Sequence, residues 1–174
     1  MRRLFITCLL LLIPLSAAAE LATLRGDFVQ GGLVMGQTDP GAAVYFDGRA
    51  VRVSAAGRFV FGFGRDFKNS ARLEIHLDDG REEVRDLTIA KRTYKVERLT
   101  GLPPSKVTPG KKFLARIRQE NGEIARIRTI DSEEEWFLSG WQWPALGRVS
   151  GVYGSQRILN DIPKRPHFGL DVAA

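Results

Sequence analysis

The residues with the clearest potential for chemistry lie in the segment PHFGLDVAA, where His167 and Asp171 are four positions apart. An imidazole nitrogen and a carboxylate oxygen are both common zinc ligands, and a zinc site takes three or four ligands from the protein. In a fully extended chain the two Cα atoms would lie ~13 Å apart. That is near or beyond the reach of two side chains that must both bind one ion at ~2 Å. The sequence therefore predicts a bend between them, and Gly169 at the midpoint has no side chain to obstruct it.

The pair on its own does not decide between half of a metal site and two surface side chains. A helix would place both side chains on one face, but Pro166 and Gly169 disfavour a helix here. The other histidine of the sequence, His76, lies on the polar face of a predicted strand in a different part of the chain. The sequence has no His-Glu-x-x-His segment, which excludes that zinc peptidase architecture for this chain.

The surrounding pattern is more specific than the pair. The segment GRVSGVYGSQR, a short basic loop and then PHFGLDVAA resemble the start of the catalytic domain of lysostaphin-type (LytM-like) zinc metallopeptidases. In that family a His-x-Gly-x-Asp segment opens the domain, and the resemblance covers residues 144–174. It implies that His167 and Asp171 are the first two ligands of a zinc ion (Zn2+). It also implies hydrolysis of the peptide cross-links of peptidoglycan, so wall peptides are the expected partner.

In the family, the third zinc ligand comes from a His-x-His segment further along the chain, and this sequence has none. The resemblance therefore leads us to expect an N-terminal fragment that ends just after the first two ligands. Such a fragment has no catalytic residue of its own, because the water-activating histidines of the family also lie downstream. By itself it is expected to be inactive.

Two other functions remain open. The first is a non-catalytic relative that binds the cell wall or activates another hydrolase. Family members with that role tend to lack the zinc ligands, and both ligands expected in this part of the chain are intact. The second is an adhesin-like β-module with an unrelated tail, against which the tail's motif argues.

Basic side chains flank the two expected ligands. Arg157, Lys164 and Arg165 are candidate substrate-binding residues, because wall peptides carry carboxylates with which guanidinium and ammonium groups pair. The alternative is a solvated basic loop. No nucleic-acid partner is expected.

The first nineteen residues have the organisation of a signal peptide. Two arginines precede an apolar run from Leu4 to Leu15, and three alanines at 17–19 form a cleavage site before Glu20. The run is too short for a permanent transmembrane helix, so we expect an exported chain in the periplasm or cell envelope without a transmembrane anchor. Cleavage removes the single cysteine, Cys8, and two arginines, which lowers the formal net charge from +6 to +4. The folded part must therefore rely on packing or metal rather than on disulfides.

Residues 20–98 are predicted to form an immunoglobulin-like β-sandwich module. Short apolar runs alternate with turn signals, of which Asp47-Gly48 and Asp79-Gly80 are typical of hairpins because both residue types tolerate positive φ. In the run ARLEIHL, the leucines and the isoleucine alternate with polar residues, which is the pattern of a half-buried antiparallel strand.

Residues 99–143 are predicted to be a linker. It contains an amphipathic helix over about 109–130, with Thr108 as its N-cap, and then an aromatic segment with three tryptophans. A hairpin that turns at Asn121-Gly122 is the alternative to the helix. Residues 144–174 follow as the start of a truncated antiparallel-β metallopeptidase domain, so the predicted fold class is mainly β with one linker helix.

Overall fold

A computed structural model of the protein describes residues 20–174, so the predicted signal peptide at 1–19 lies outside the described residues. Strands make up 35% and helices 15% of the structure, and the sheets are largely antiparallel, which confirms the mainly β prediction. Within the described part of the chain, no helix has the length and apolar character needed to cross a membrane.

Seven strands form the first module, in two antiparallel sheets with the orders β1-β2-β5 and β4-β3-β6-β7. The strands are β1 (Thr23–Gly26), β2 (Leu33–Gln37), β3 (Ala43–Phe46), β4 (Arg49–Val51), β5 (Arg58–Gly62), β6 (Ser70–His76) and β7 (Glu82–Thr88). The predicted hairpin at Asp47-Gly48 joins β3 to β4, with φ of 48° and 73° at the two residues. Both residues adopt the positive φ that a two-residue hairpin turn requires.

One apolar core lies between these two sheets. Strand β6 alternates as its sequence predicts, with Ala71, Leu73 and Ile75 buried on one face. The rings of Phe46 on β3 and Phe61 on β5 stack at a centroid distance of 4.6 Å, which joins the two sheets. Each fully buried side chain of this size contributes about 1.5–3 kcal/mol relative to exposure, so this core carries the stability of the module.

Strand β8 (Val96–Leu99) spans the predicted end of the first module. The linker then contains helix α1 (Pro104–Val107), helix α2 (Lys111–Ile127) and a short 3-10 turn (Trp136–Leu138). Helix α2 occupies most of the predicted 109–130 span, and the alternative hairpin does not form. The predicted N-cap is wrong, because Gly110 caps the helix without a side-chain hydrogen bond. No residue of α2 is buried. Ion pairs of Arg52 with Asp131 and of Arg58 with Glu135 attach the following segment to the first module.

Four short strands follow: β9 (Arg148–Gly151), β10 (Gln156–Leu159), β11 (Ile162–Pro163) and β12 (Asp171–Ala173). Strands β9 and β12 pair antiparallel, and so do β10 and β11. Strand β10 also pairs in parallel with β8, from Val96↔Gln156 to Leu99↔Leu159. Strand β8 crosses the predicted module boundary at residue 98, so backbone hydrogen bonds connect the first module directly to the segment that carries His167 and Asp171.

Candidate metal site

The backbone of His167 is fixed at both of its polar groups. Its N–H donates to the carbonyl of Ser155 at 2.8 Å, and its carbonyl accepts from the N–H of Gly154 at 2.7 Å. Both partners belong to the turn between β9 and β10. This turn therefore sets the position from which the imidazole projects.

Asp171 is the first residue of β12 and pairs with Gly151 of β9, with a register shift directly after it. The chain bends at Gly169 between the two candidate ligands, as expected from the sequence. The bend brings Nε2 of His167 to 3.2 Å from Oδ1 of Asp171. The two side chains thus converge on one point.

The contact between these side chains is close but is not a hydrogen bond. Nε2 of His167 is buried and has no hydrogen-bond partner within residues 20–174. Two atoms that each bind one tetrahedral zinc ion at 2.0–2.1 Å lie ~3.3 Å apart, which is close to the observed separation of 3.2 Å. A buried, unsatisfied nitrogen usually has a specific reason, and joint binding of a cation with the carboxylate is one that fits this geometry.

Gly151 makes room for the pair. A Cβ added there would lie 2.5 Å from Oδ2 of Asp171 and 3.2 Å from Nε2 of His167. A Cβ at Gly169 would meet its nearest atom, Cε1 of His167, at an ordinary contact distance of 3.7 Å. Sequence reasoning selected Gly169 and missed Gly151. The available signal was a glycine inside a predicted strand, which often marks the close approach of another group.

A complete metal centre needs a further donor. Within the described residues there is no group of three or more His, Cys, Asp or Glu side chains that could hold a metal ion. His76, the other histidine, lies on β6 with Nδ1 at 3.0 Å from Oε1 of Glu82. Residues 20–174 therefore fit zinc with two ligands, His167 and Asp171, and supply no third.

The pair opens on a groove of about 1150 Å³ between β8, the end of α2 and the strands β9 and β10. The three predicted substrate-binding residues all line it. Arg157 lies 3.5 Å from Glu97, Lys164 donates from Nζ to the carbonyl of Val107 at 2.5 Å, and the guanidinium of Arg165 lies 5.2 Å from the ring centre of Phe168. Their role toward a substrate stays a prediction.

Strand β8 adds a charged wall to this groove. A hydrogen bond from Lys95, together with its charge, lowers the pKa of Glu97, and Arg157 lowers it further. The carboxylate of Glu97 is therefore ionised at neutral pH, and it holds both basic side chains at the groove. Sequence reasoning did not assign Lys95 or Glu97 to the site, because they precede it by some seventy residues and only the parallel pairing of β8 with β10 brings them there.

The first module also supports the turn that holds His167. Nε of Arg65 donates to the carbonyl of Gly154 at 2.7 Å, so a hydrogen-bonded chain runs from Arg65 through Gly154 to His167. The ring of Tyr94 packs against Gly154, where an added Cβ would lie 2.0 Å from it. The hydroxyl of Tyr94 donates to the carbonyl of Gln30 at 2.7 Å. The position of the histidine therefore depends on the module as well as on its own loop.

Neither a comparison with models of protein families nor one with curated proteins finds a match for this chain.

Proposed function

We propose that this chain is part of an exported zinc metallo-endopeptidase that hydrolyses the peptide cross-links of peptidoglycan. The observation that supports this most strongly is the convergence of His167 and Asp171. Their ligand atoms lie 3.2 Å apart, and the nitrogen is buried without a hydrogen-bond partner in the described part of the chain. The spacing suits one zinc ion, and the motif around it resembles that of lysostaphin-type metallopeptidases.

In this proposal the chain's own residues hold and orient the metal. His167 and Asp171 are two ligands, Gly151 leaves space beside them, and the turn at Gly154 and Ser155 fixes the imidazole. A zinc ion with three protein ligands polarises a peptide carbonyl and lowers the pKa of a bound water. Residues 20–174 supply two of these ligands, His167 and Asp171.

The two sheets of the first module share one core, and we assign them to the immunoglobulin-like sandwich type. The signal peptide and the periplasm or cell envelope as location belong to the same proposal. They rest on the pattern of the first nineteen residues.

Metal binding is tested on residues 20–174 by zinc titration, followed by NMR of the two imidazole rings. The signals of His167 should shift with added zinc, and those of His76 should shift much less, because Nε2 of His167 is buried without a hydrogen-bond partner among the described residues and neither nitrogen of His76 is. His167→Ala and Asp171→Asn should each remove the response, while the control His76→Ala should keep it. Equal zinc-induced shifts of both imidazole rings would overturn the proposed metal site. So would an unchanged shift of His167 in the Asp171→Asn variant.

Catalysis is tested with the complete product of the gene that encodes this sequence, incubated with purified cell wall. Release of cleaved cross-links and bound zinc should both be lost in His167→Ala and Asp171→Ala. A protein that keeps full hydrolysis in either variant contradicts the proposal. A protein that never cleaves wall, yet activates another hydrolase equally well in both variants, would be the non-catalytic relative instead.

A further inference from the structure

The charge of the described chain is concentrated in the groove beside the candidate metal site. Residues 20–174 carry 24 basic and 20 acidic side chains, since Arg2 and Arg3 lie outside them. Six of the basic and two of the acidic side chains line the groove, which leaves eighteen of each sign elsewhere. The net positive charge of the described residues therefore lies in this one groove. A cleft lined mainly by one sign of charge focuses its field on ligands of the opposite sign.

The six basic side chains differ in how they are engaged. Lys95 and Arg157 pair with Glu97, while Lys164 and Arg165 contact a carbonyl and a ring as described above. Arg128, at the end of α2, and Arg148, at the start of β9, have no ion-pair partner within residues 20–174. Two guanidinium groups, one at the end of α2 and one at the start of β9, are thus available to a ligand.

The chemistry of the lining favours carboxylates over nucleic acid. A guanidinium presents a planar fork of donors that matches a carboxylate in a bidentate pair. Binding of single-stranded nucleic acid normally adds aromatic rings on which successive bases stack. Among the described residues that line the groove, Phe168 is the one Phe, Tyr or Trp, and Arg165 already covers it. The lining therefore offers charge pairing without a stacking platform.

We propose that the groove binds an extended acidic peptide, and that Arg128 and Arg148 pair with its carboxylates. This inference rests on the proposed function. It narrows the substrate to peptides that carry free carboxylates close to the bond to be hydrolysed, which would lie at His167 and Asp171. It also gives β8 and α2 a role in substrate binding, because Lys95 and Arg128 come from elements outside the motif. The peptide passes from the wall formed by β8 to the metal ligands.

The test uses residues 20–174 without metal, in the presence of a chelator, and a fluorescent oligoglutamate peptide as the probe. Binding is followed by fluorescence anisotropy at low salt and at high salt. The double variant Arg128→Gln/Arg148→Gln should weaken binding by at least about tenfold, because it removes two charge-assisted contacts. The matched control is Arg118→Gln/Arg126→Gln, which removes the same charge from exposed positions of α2 outside the groove. Arg and Gln have similar helix propensities, and Arg148 is exposed on strand β9, so both variants should fold.

The control variant should keep the affinity of the wild type within about twofold, as exposed charges away from a site contribute little. An equal loss of affinity in both double variants would show that binding depends on overall charge. It would overturn the assignment of the groove as the peptide-binding site. Tighter binding of an oligothymidylate of the same charge would point to phosphate and nucleic acid instead, and would also overturn the proposal. So would an absence of binding to oligoglutamate at low salt. Because the probe is bound without metal, these outcomes do not depend on the zinc titration, and either proposal can fail while the other stands.

Discussion

Replacing Gly151 by alanine should separate metal binding from folding. The added Cβ would lie 2.5 Å from Oδ2 of Asp171, whereas carbon and oxygen atoms normally approach no closer than ~3.3 Å. The carboxylate must therefore move by about 0.8 Å, and metal–ligand distances tolerate only about 0.2 Å. The Asp171 carboxylate cannot keep the position that the proposed metal site requires beside this methyl group.

The cost to stability should be small. The Asp171 side chain is 60% exposed, so it can rotate toward solvent, and a displaced rotamer costs about 0.5–1.5 kcal/mol. Alanine also lowers the conformational entropy of the unfolded chain relative to glycine. This stabilises the folded state by about 0.4–1 kcal/mol where the backbone conformation allows it. Gly151 does not have a positive φ. We therefore expect a change in the free energy of unfolding of less than about 1 kcal/mol.

The effect on zinc should be much larger. Changes beside metal ligands typically lower metal affinity by about 10- to 100-fold, and this one displaces a ligand directly. The assay is the zinc titration of residues 20–174, read from the imidazole signals of His167, together with urea denaturation. Gly169→Ala is the matched control, because its Cβ would meet Cε1 of His167 at 3.7 Å.

Zinc binding by Gly151→Ala as tight as that of the wild type would show that Asp171 is not a zinc ligand. An equal loss of affinity in Gly151→Ala and Gly169→Ala would also contradict the role assigned to Gly151, since the structure gives the second glycine no collision. A variant that unfolds outright would show that the glycine serves the pairing of β9 with β12 rather than the ligands.

Two further outcomes test how the first module supports the site. Burial raises the pKa of the Tyr94 phenol, so the folded chain holds that proton more tightly than the unfolded chain. Stability should therefore be unaffected by this group below pH ~10 and fall as the pH rises above it. The urea midpoint should show this decline, and Tyr94→Phe should flatten it; an unchanged slope contradicts the assignment. Trypsin should first cut the exposed basic helix α2, and the two pieces should elute together on native size exclusion, because β8 pairs with β10. Separate elution of the C-terminal piece would show that this pairing is too weak to hold the site.

The sequence predicts correctly the features that are encoded within a few neighbouring residues. Alternation along β6 gives its buried face, Asp47-Gly48 gives a hairpin, and the amphipathic spacing gives α2. The bend at Gly169 also follows from reach and spacing. The convergence of His167 with Asp171 was expected only from the resemblance of the surrounding motif, because the pair on its own left two surface side chains as an alternative. These features depend on neighbours within a few positions, so a single sequence carries them.

The parts that could not be predicted depend on contacts between distant segments. The pairing of β8 with β10 leaves no local mark, since a parallel partner can lie anywhere along the chain. The same holds for Arg65, whose hydrogen bond to Gly154 reaches across 89 positions. The role of Gly151 was visible only as a glycine within a strand, and the atom that it accommodates belongs to Asp171, twenty positions later.

The parallel pairing of β8 with β10 sets the order in which the chain can assemble. Val96 meets Gln156 sixty positions later, and closing a loop of that length costs about 3.6 kcal/mol of chain entropy beyond a constant. The hairpins of the first module close much shorter loops and can form earlier, while the chain is still being synthesised or exported. Strand β10 can pair only after β8 has formed. The turn that holds His167 can be fixed only after Arg65 and Tyr94 are in place. His167 and Asp171 should thus converge late in folding. If they bind metal as proposed, a cell would load this site only after the first module is complete.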